Sequence, residues 1–319
     1  LIGSPLPNEM SESKRLNKVR ALAAFSPDAL SSVAYANQEI YLGLVVAGAA
    51  GLSFQFPIAI GITVLLLIVA ASYLQTIKAY PNGGGSYIVA RENLGTIPGL
   101  VAGAALSLDY ILTAAVSLTA GVAAISSAFP ILWQYKVWIA LGLLVVITLL
   151  NMRGLQESGS ALSFPVYLFI ITFIGLIIFG LVKAFEQGAP SPITNFAPKA
   201  TESLGILLIM HAFSAGCTAL TGIEAISNGV PAFKPPEWKN ARKTLMIMSG
   251  LMAIIFAGSI GLTHFFGIIP NGNETILSAL ARHLFGNGIL YYVVQISTLL
   301  ILAVAANTSF AGFPRVAAI

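Results

Sequence analysis

Ser26-Pro27-Asp28-Ala29-Leu30-Ser31-Ser32-Val33-Ala34 lies inside an apolar run over residues 23 to 47, and Thr218-Ala219-Leu220-Thr221-Gly222-Ile223-Glu224 lies inside another over 204 to 231. Asp28 to Ala34 aligns with Thr218 to Glu224, and each copy follows an Ala-Phe-Ser, at 24 to 26 and 212 to 214. The copies fall in the first and sixth apolar spans. An odd offset makes the second copy enter the membrane from the opposite side, as in inverted-repeat transporters. Both are poor continuous helices, interrupted by Pro27 and Ser31-Ser32 in one and by Gly216, Gly222, Gly229 and Pro231 in the other. Each is expected to break at mid-membrane, where irregular backbone is tolerated only if it lines a protected site. The plain alternative is coincidence among common Ala, Leu and Ser.

Composition points the same way. Of 319 residues 57% are hydrophobic and 9% charged, with a mean hydropathy of +0.87, against roughly a quarter charged in a soluble domain. A water-soluble enzyme, a nucleic-acid reader and a disordered scaffold need more charge than 16 basic and 12 acidic residues supply. The single cysteine, Cys217, rules out an intrachain disulfide framework. The runs are about 20 residues or longer without a period of two, which fits helices and not a membrane β-barrel.

Eight spans are expected, near 23 to 47, 56 to 77, 99 to 129, 136 to 151, 161 to 183, 204 to 231, 244 to 267 and 289 to 312. The third is too long to cross upright. With a cytoplasmic amino terminus, Lys14, Arg15, Lys18, Arg20, Lys78, Arg91, Arg153, Lys234, Lys239, Arg242, Lys243 and Arg315 fall inside, while Lys136, Lys183, Lys199 and Arg282 fall outside. That is twelve of the 16 basic residues, so both ends are expected in the cytoplasm. The first 20 residues lack the apolar stretch of a signal peptide. The chain starts at Leu1 and stops a few residues past its eighth span, so a longer parent protein is expected.

The only aspartates, Asp28 and Asp109, both lie in hydrophobic spans, with Glu224 in the sixth and Glu39 near the outer end of the first. A carboxylate at mid-bilayer costs several kcal/mol unless paired, hydrated or protonated. Asp28 could instead be a helix N-cap after Ser26-Pro27, although a cap and an ion site can coincide. In the third span Asp109, Thr113 and Ser117 recur at i, i+4 and i+8, with Tyr110 beside them, so their oxygens face one way. Hydroxyls in membrane helices also serve as glue or bond back to their own carbonyls, which remains open for Thr113 and Ser117. Together Asp28, Asp109, Glu224, Tyr35, Tyr110, Thr113 and Thr221 form a set of oxygens suited to a hard monovalent cation. A carboxyl in dry surroundings holds its proton until a cation displaces it, so the acids are candidates for coupling proton and cation movement. No Cys/His set with zinc spacing is present.

Ser26 to Tyr35, Tyr80-Pro-Asn-Gly-Gly-Gly-Ser-Tyr87, Glu92-Asn-Leu-Gly95, Asp109-Tyr-Ile-Leu-Thr113, Ala219-Leu-Thr-Gly-Ile-Glu-Ala-Ile-Ser-Asn228 and Ala305-Ala-Asn-Thr308 resemble the amino acid-polyamine-organocation superfamily. Within it they most resemble the KimA-type bacterial potassium importers of the KUP family. The resemblance implies an all-α membrane protein with a LeuT-like 5+5 inverted-repeat fold, broken first and sixth helices, and proton-coupled potassium uptake in the bacterial plasma membrane. It places potassium-binding residues at Asp28, Tyr35, Asp109, Tyr110, Thr113, Ser117, Thr221 and Glu224, with Glu224 and Asp109 handling protons. No cofactor or enzymatic activity is implied, and potassium and protons are the transported species. The implied partners are the lipid bilayer and a second copy in a homodimer. Cyclic di-AMP would act only through a carboxy-terminal cytosolic domain not contained in these residues. The corresponding layout is a cytoplasmic segment 1–22, a first repeat 23–183, an extracellular loop 184–203 and the first three helices of the second repeat at 204–319, cut after eight transmembrane helices.

Two other functions compete. An amino acid permease would hold an α-carboxylate on backbone N–H groups at a glycine-rich break, whereas Asp28-Ala-Leu-Ser-Ser has an acid and no glycine there. An intramembrane aspartyl protease would need Asp28 and Asp109 as a proton-sharing dyad. Elsewhere, Pro81-Asn-Gly-Gly-Gly-Ser lacks the Gly-Lys-Ser/Thr of a phosphate loop and reads as a turn. His211 and His264 are expected to hydrogen-bond between helices or to relay protons, and Cys217 to pack as a small residue. Residues 274 to 285 carry a helical apolar face expected on the outer membrane surface. Lys234 to Lys243, with Trp238, is expected to anchor the inner side.

Overall fold

The computed structural model describes residues 15–83, 85–152, 163–191, 198–270 and 273–317. Lys14 and Arg153 lie outside them. The described chain is helical: α1 (Lys18–Phe25), α2 (Pro27–Val45), α3 (Gly48–Leu52), α4 (Gln55–Ala79), α5 (Ser86–Leu94), α6 (Thr96–Ala128), α7 (Lys136–Met152), α8 (Ser163–Gln187), α9 (Ile206–Gly216), α10 (Glu224–Asn228), α11 (Glu237–Phe265), α12 (Ile276–Phe285) and α13 (Ile289–Ala317). Among the described residues, seven segments are long and apolar enough to cross a membrane: Gly48–Ala79, Thr96–Ala128, Pro130–Leu149, Ser163–Gln187, Ile206–Asn228, Glu237–Phe265 and Ile289–Phe310. This is a multi-pass membrane protein.

The expected first span is not among the seven. It is divided at Ser26 into α1 and α2, and fourteen of the nineteen residues of α2 are buried. A helix buried along its first eleven residues needs no lipid-facing surface there, which explains how α2 carries Asp28, Asn37 and two serines. It packs against α9, α11 and α13, and its apolar residues Leu30, Val33, Ile40 and Leu44 belong to the main core.

The two breaks differ from the sequence expectation in one respect. Pro27 starts α2, where its missing N–H costs no helix bond. Ser31-Ser32 does not interrupt the helix: Ser31 Oγ donates to the Asp28 carbonyl and Ser32 Oγ to the Ala29 carbonyl, both at 2.8 Å. Those bonds satisfy the hydroxyls locally and leave the helical ladder intact. The sixth span is interrupted throughout its middle. After α9 come a 3-10 turn over Cys217–Leu220 and an extended Thr221 at φ −61°, ψ 147°. Gly222 follows at φ +81°, and then α10 begins.

The segment preceding α1 is tied to the segment following α10. Leu16 N donates to the Ala232 carbonyl at 2.8 Å and Lys234 N to the Leu16 carbonyl at 3.0 Å. Arg15 pairs with Glu237, and Phe25 stacks on Phe233 with ring centroids 5.6 Å apart. Lys239 and Arg242 lie over the Trp238 ring on this same basic side.

At the other end of the bundle, residues 276 to 285 form the expected helix, but its apolar face is turned into the protein. Ile276, Leu277, Leu280, Ala281 and Leu284 are buried in the main core. Hydrogen bonds hold it there: Ile276 N to Gln38 Oε1 at 2.7 Å, Thr275 N to Ser127 Oγ at 3.0 Å, and Arg282 to Glu274, Tyr291 and the Ser127 carbonyl. His264 also departs from expectation. Its ring stacks on Phe56 at 5.9 Å, and its buried Nδ1 has no hydrogen-bond partner. His211 is exposed on α9, and Cys217 is half-buried against the core.

Candidate functional site

The two interrupted spans meet at their breaks. A Cβ added at Gly222 would lie 2.5 Å from the Ala29 nitrogen and 3.0 Å from the Asp28 carbonyl carbon. Only a glycine allows both this approach and the positive φ. Ser32 Oγ also reaches the Ala219 carbonyl, at 3.5 Å, and Tyr35 is hydrogen-bonded to Thr221. Thr221 Oγ1 donates to the Thr218 carbonyl at 3.0 Å. The extended backbone at Thr221 therefore lies across the first two turns of α2.

Asp28, Glu224 and Asp109 lie within electrostatic range of one another around this junction. Asp28 is 7% exposed, in the first turn of α2, where the N-cap position belongs to Ser26 and no side chain caps the helix. The cap reading of Asp28 is thereby excluded. Its Oδ1 is buried without any hydrogen-bond partner. A buried carboxylate oxygen in that condition is costly unless something positive or protic meets it. Glu224 accepts from the Gly222 backbone N–H.

From α6, Thr113 and Ser117 are buried, on a helix that packs mainly against α13 and also touches α2. Ser117 Oγ has no partner, so it does not bond back to its own helix as Ser107, Thr119 and Ser127 do. The structure thus places Asp28, Glu224 and Asp109 within electrostatic range of one another, ties Tyr35 to Thr221, sets Tyr110 beside Asp28 in one cavity, and buries Thr113 and Ser117 on α6.

Two cavities approach this cluster from opposite ends of the bundle, and no described residue lines both. The cavity on the basic side, about 470 Å³, reaches Asp28 and Tyr110 between α1, α5, the end of α10 and α13. The glycine turn contributes its wall: Gly83 and Gly85 press on Asn228, where a Cβ on Gly85 would lie 2.0 Å from Asn228 Oδ1. The turn reading of Pro81 to Ser86 agrees with this packing. The opposite cavity, about 520 Å³, ends at Tyr35. Sequence reasoning missed Thr308 and Ser309, which line the basic-side cavity, and Gln295, which lines the other. Thr308 stood in a stretch of family resemblance without a site role, and the signal at Ser309 and Gln295 was polarity inside the last apolar run. Among the described residues no group of His, Cys, Asp and Glu forms a candidate metal cluster.

The sequence model of the family described as "Amino acid permease" matches residues 16–318. The curated potassium transporter KimA of Bacillus subtilis (strain 168) is similar, 49% identical over 319 aligned residues covering 99% of this chain and 52% of that protein. The chain spans about half the length of the curated relative it matches.

Proposed function

This chain belongs to the amino acid permease family, and on that premise we propose that it imports potassium by proton symport, at an oxygen-lined site between the first, third and sixth spans. The carrying observation is Asp28 Oδ1, buried and without a hydrogen-bond partner, within electrostatic range of Glu224 and Asp109 and at the wall of one of two cavities that share no described lining residue. A desolvated cation replaces lost water with such oxygens, and a carboxyl cluster tolerates its own charge when a cation or proton shares it. The similarity to a protein named a potassium transporter supports potassium in particular.

Asp28, Tyr35, Asp109, Tyr110, Thr113, Ser117, Thr221 and Glu224 hold the ion, and Glu224 and Asp109 exchange protons with it. The crossing of the breaks at Gly222 and Ala29 supports a 5+5 inverted repeat, with the first repeat at 23–183 and the second beginning at 204. The basic clusters on the side of Arg15 and Lys239 support an orientation with both ends in the cytoplasm of a bacterial plasma membrane. A homodimer, and cyclic di-AMP control through a domain outside these residues, belong to the same reading.

The deciding experiment is rubidium uptake by cells lacking other potassium importers, with and without an imposed proton gradient. Gradient-dependent uptake, lost in Asp109→Asn, is expected; uptake indifferent to both overturns the reading. Amino acid transport is favoured by the family description alone. Against it, Asp28 stands where a substrate carboxylate would bind, and the nearest glycine of α2 is Gly43, far along the helix. Displacement of bound rubidium by leucine or glutamate would restore it.

A further inference from the structure

On the side away from the basic face, the cavity of about 520 Å³ holds a carboxylate that the central site does not use. Glu39 lies one helical turn beyond Tyr35, on the same face of α2. Two acids line this space, and they differ in their pairing. Glu274 is 12% exposed and bound to Arg282 at 2.9 Å, whereas Glu39 makes no hydrogen bond or ion pair within the described residues. The amide of Gln295, a residue 2% exposed, lines the same space and leaves its Nε2 buried without a partner. An amide end both donates and accepts, and it can turn to present its carbonyl oxygen. Thr298 Oγ1 donates to the Val294 carbonyl at 2.8 Å, so its lone pairs remain free. The floor is Tyr35, tied to Thr221 at the break. Lys136 stands in the wall as well, its ammonium 4.9 Å from the centre of the Trp133 ring.

Resting on the reading that the cargo is a monovalent cation, we infer that this cavity is an antechamber that takes one partly hydrated alkali cation before it passes Tyr35, with Glu39 as its counter-charge and Gln295 and Thr298 as oxygen ligands. Lys136 opposes that charge and limits how tightly the ion is kept. A free carboxylate in a low-dielectric recess raises the local cation concentration, and a nearby ammonium lowers it. The two side chains therefore act with opposite sign on capture and leave the central step alone.

Rubidium uptake by the full-length protein tests this at low and high ionic strength, the latter set with choline chloride. Glu39→Gln is expected to raise KM roughly three- to tenfold at low ionic strength with the maximal rate kept, and Lys136→Gln to lower it. Both shifts shrink at high ionic strength, and Glu39→Asp restores most of the loss. An unchanged KM in Glu39→Gln, or a shift of the same sign in both variants, overturns the antechamber. A second measurement does not depend on transport. In a Cys217→Ser background, rubidium is expected to slow thiol modification of Thr119→Cys, and Glu39→Gln to abolish that protection. Protection without uptake sinks the transport reading and leaves the antechamber standing, whereas uptake without protection does the reverse.

Discussion

Gly222 lies so close to Ala29 that a Cβ on the glycine would stand 2.5 Å from the alanine nitrogen. Backbone touches backbone there, so no side chain can yield to make room. Gly222 also holds φ at +81°, a conformation costing about 1–2 kcal/mol for any other residue, and overpacking adds about 1–3 kcal/mol. Gly222→Ala is therefore expected to lower the melting temperature in detergent and to abolish uptake. An unchanged melting temperature would mean that the two breaks do not press on each other.

Gly85→Ala provides a graded comparison. Its Cβ would meet Asn228 Oδ1 at 2.0 Å, but that atom is the far end of a side chain that can rotate. The expected loss of stability is smaller than for Gly222→Ala, and Asn228→Ala should relieve it in the double variant. Thermal unfolding of the four proteins provides the cycle.

Ser117 separates ligand from packing. Its hydroxyl is buried and has no partner, so Ser117→Ala removes a desolvated group and is expected to leave stability equal or slightly higher. If the hydroxyl serves the cation, the KM for rubidium rises at the same time. Stability lost without any change in KM would assign Ser117 to packing alone.

For the acids, replacing a charge-assisted ligand costs about 1.5–3 kcal/mol, or roughly tenfold or more in affinity. Asp109→Asn is expected to cut rubidium uptake by at least that factor at equal surface abundance. Glu224→Gln should instead remove the response to an imposed proton gradient. Uptake by Glu224→Gln that still follows the gradient would take the proton role away from that residue.

Arg282 joins α12 to the end of α6 through Glu274, Tyr291 and the Ser127 carbonyl. Arg282→Ala leaves Glu274, 12% exposed, with only Ser278 as a partner. A loss of about 1–3 kcal/mol is expected, read as a lower melting temperature. Wild-type stability would mean that Arg282 adds nothing to the apolar face and the Gln38 and Ser127 hydrogen bonds that hold α12.

Apolar run length made most helices legible, since spans two to eight follow directly from it. Hydropathy alone could not place α12 inside the protein. Its apolar stripe has the same sequence whether it meets lipid or the buried core it joins. Gly216 and Gly222 marked the true interruption, whereas Ser31-Ser32 misled because a serine can bond back to its own turn without opening the helix. Asp28 and Glu224 stood out because acids are scarce in apolar runs. Gln295 and Ser309 did not, because single polar residues are common there and only burial without a partner distinguishes them.

The short ladder between Leu16 and Phe233 acts as a pawl. Bending the chain at Ser26 severs no bond from Pro27, which has no N–H to lend, so α1 is kept from tilting outward by that fastening together with the burial of Ala21, Leu22 and Ala23 and the bond from the Tyr167 hydroxyl to the Val19 carbonyl. Two backbone hydrogen bonds at about 1 kcal/mol net each and one aromatic stack at about 0.5–1.5 kcal/mol make it firm at rest and breakable by ordinary thermal agitation.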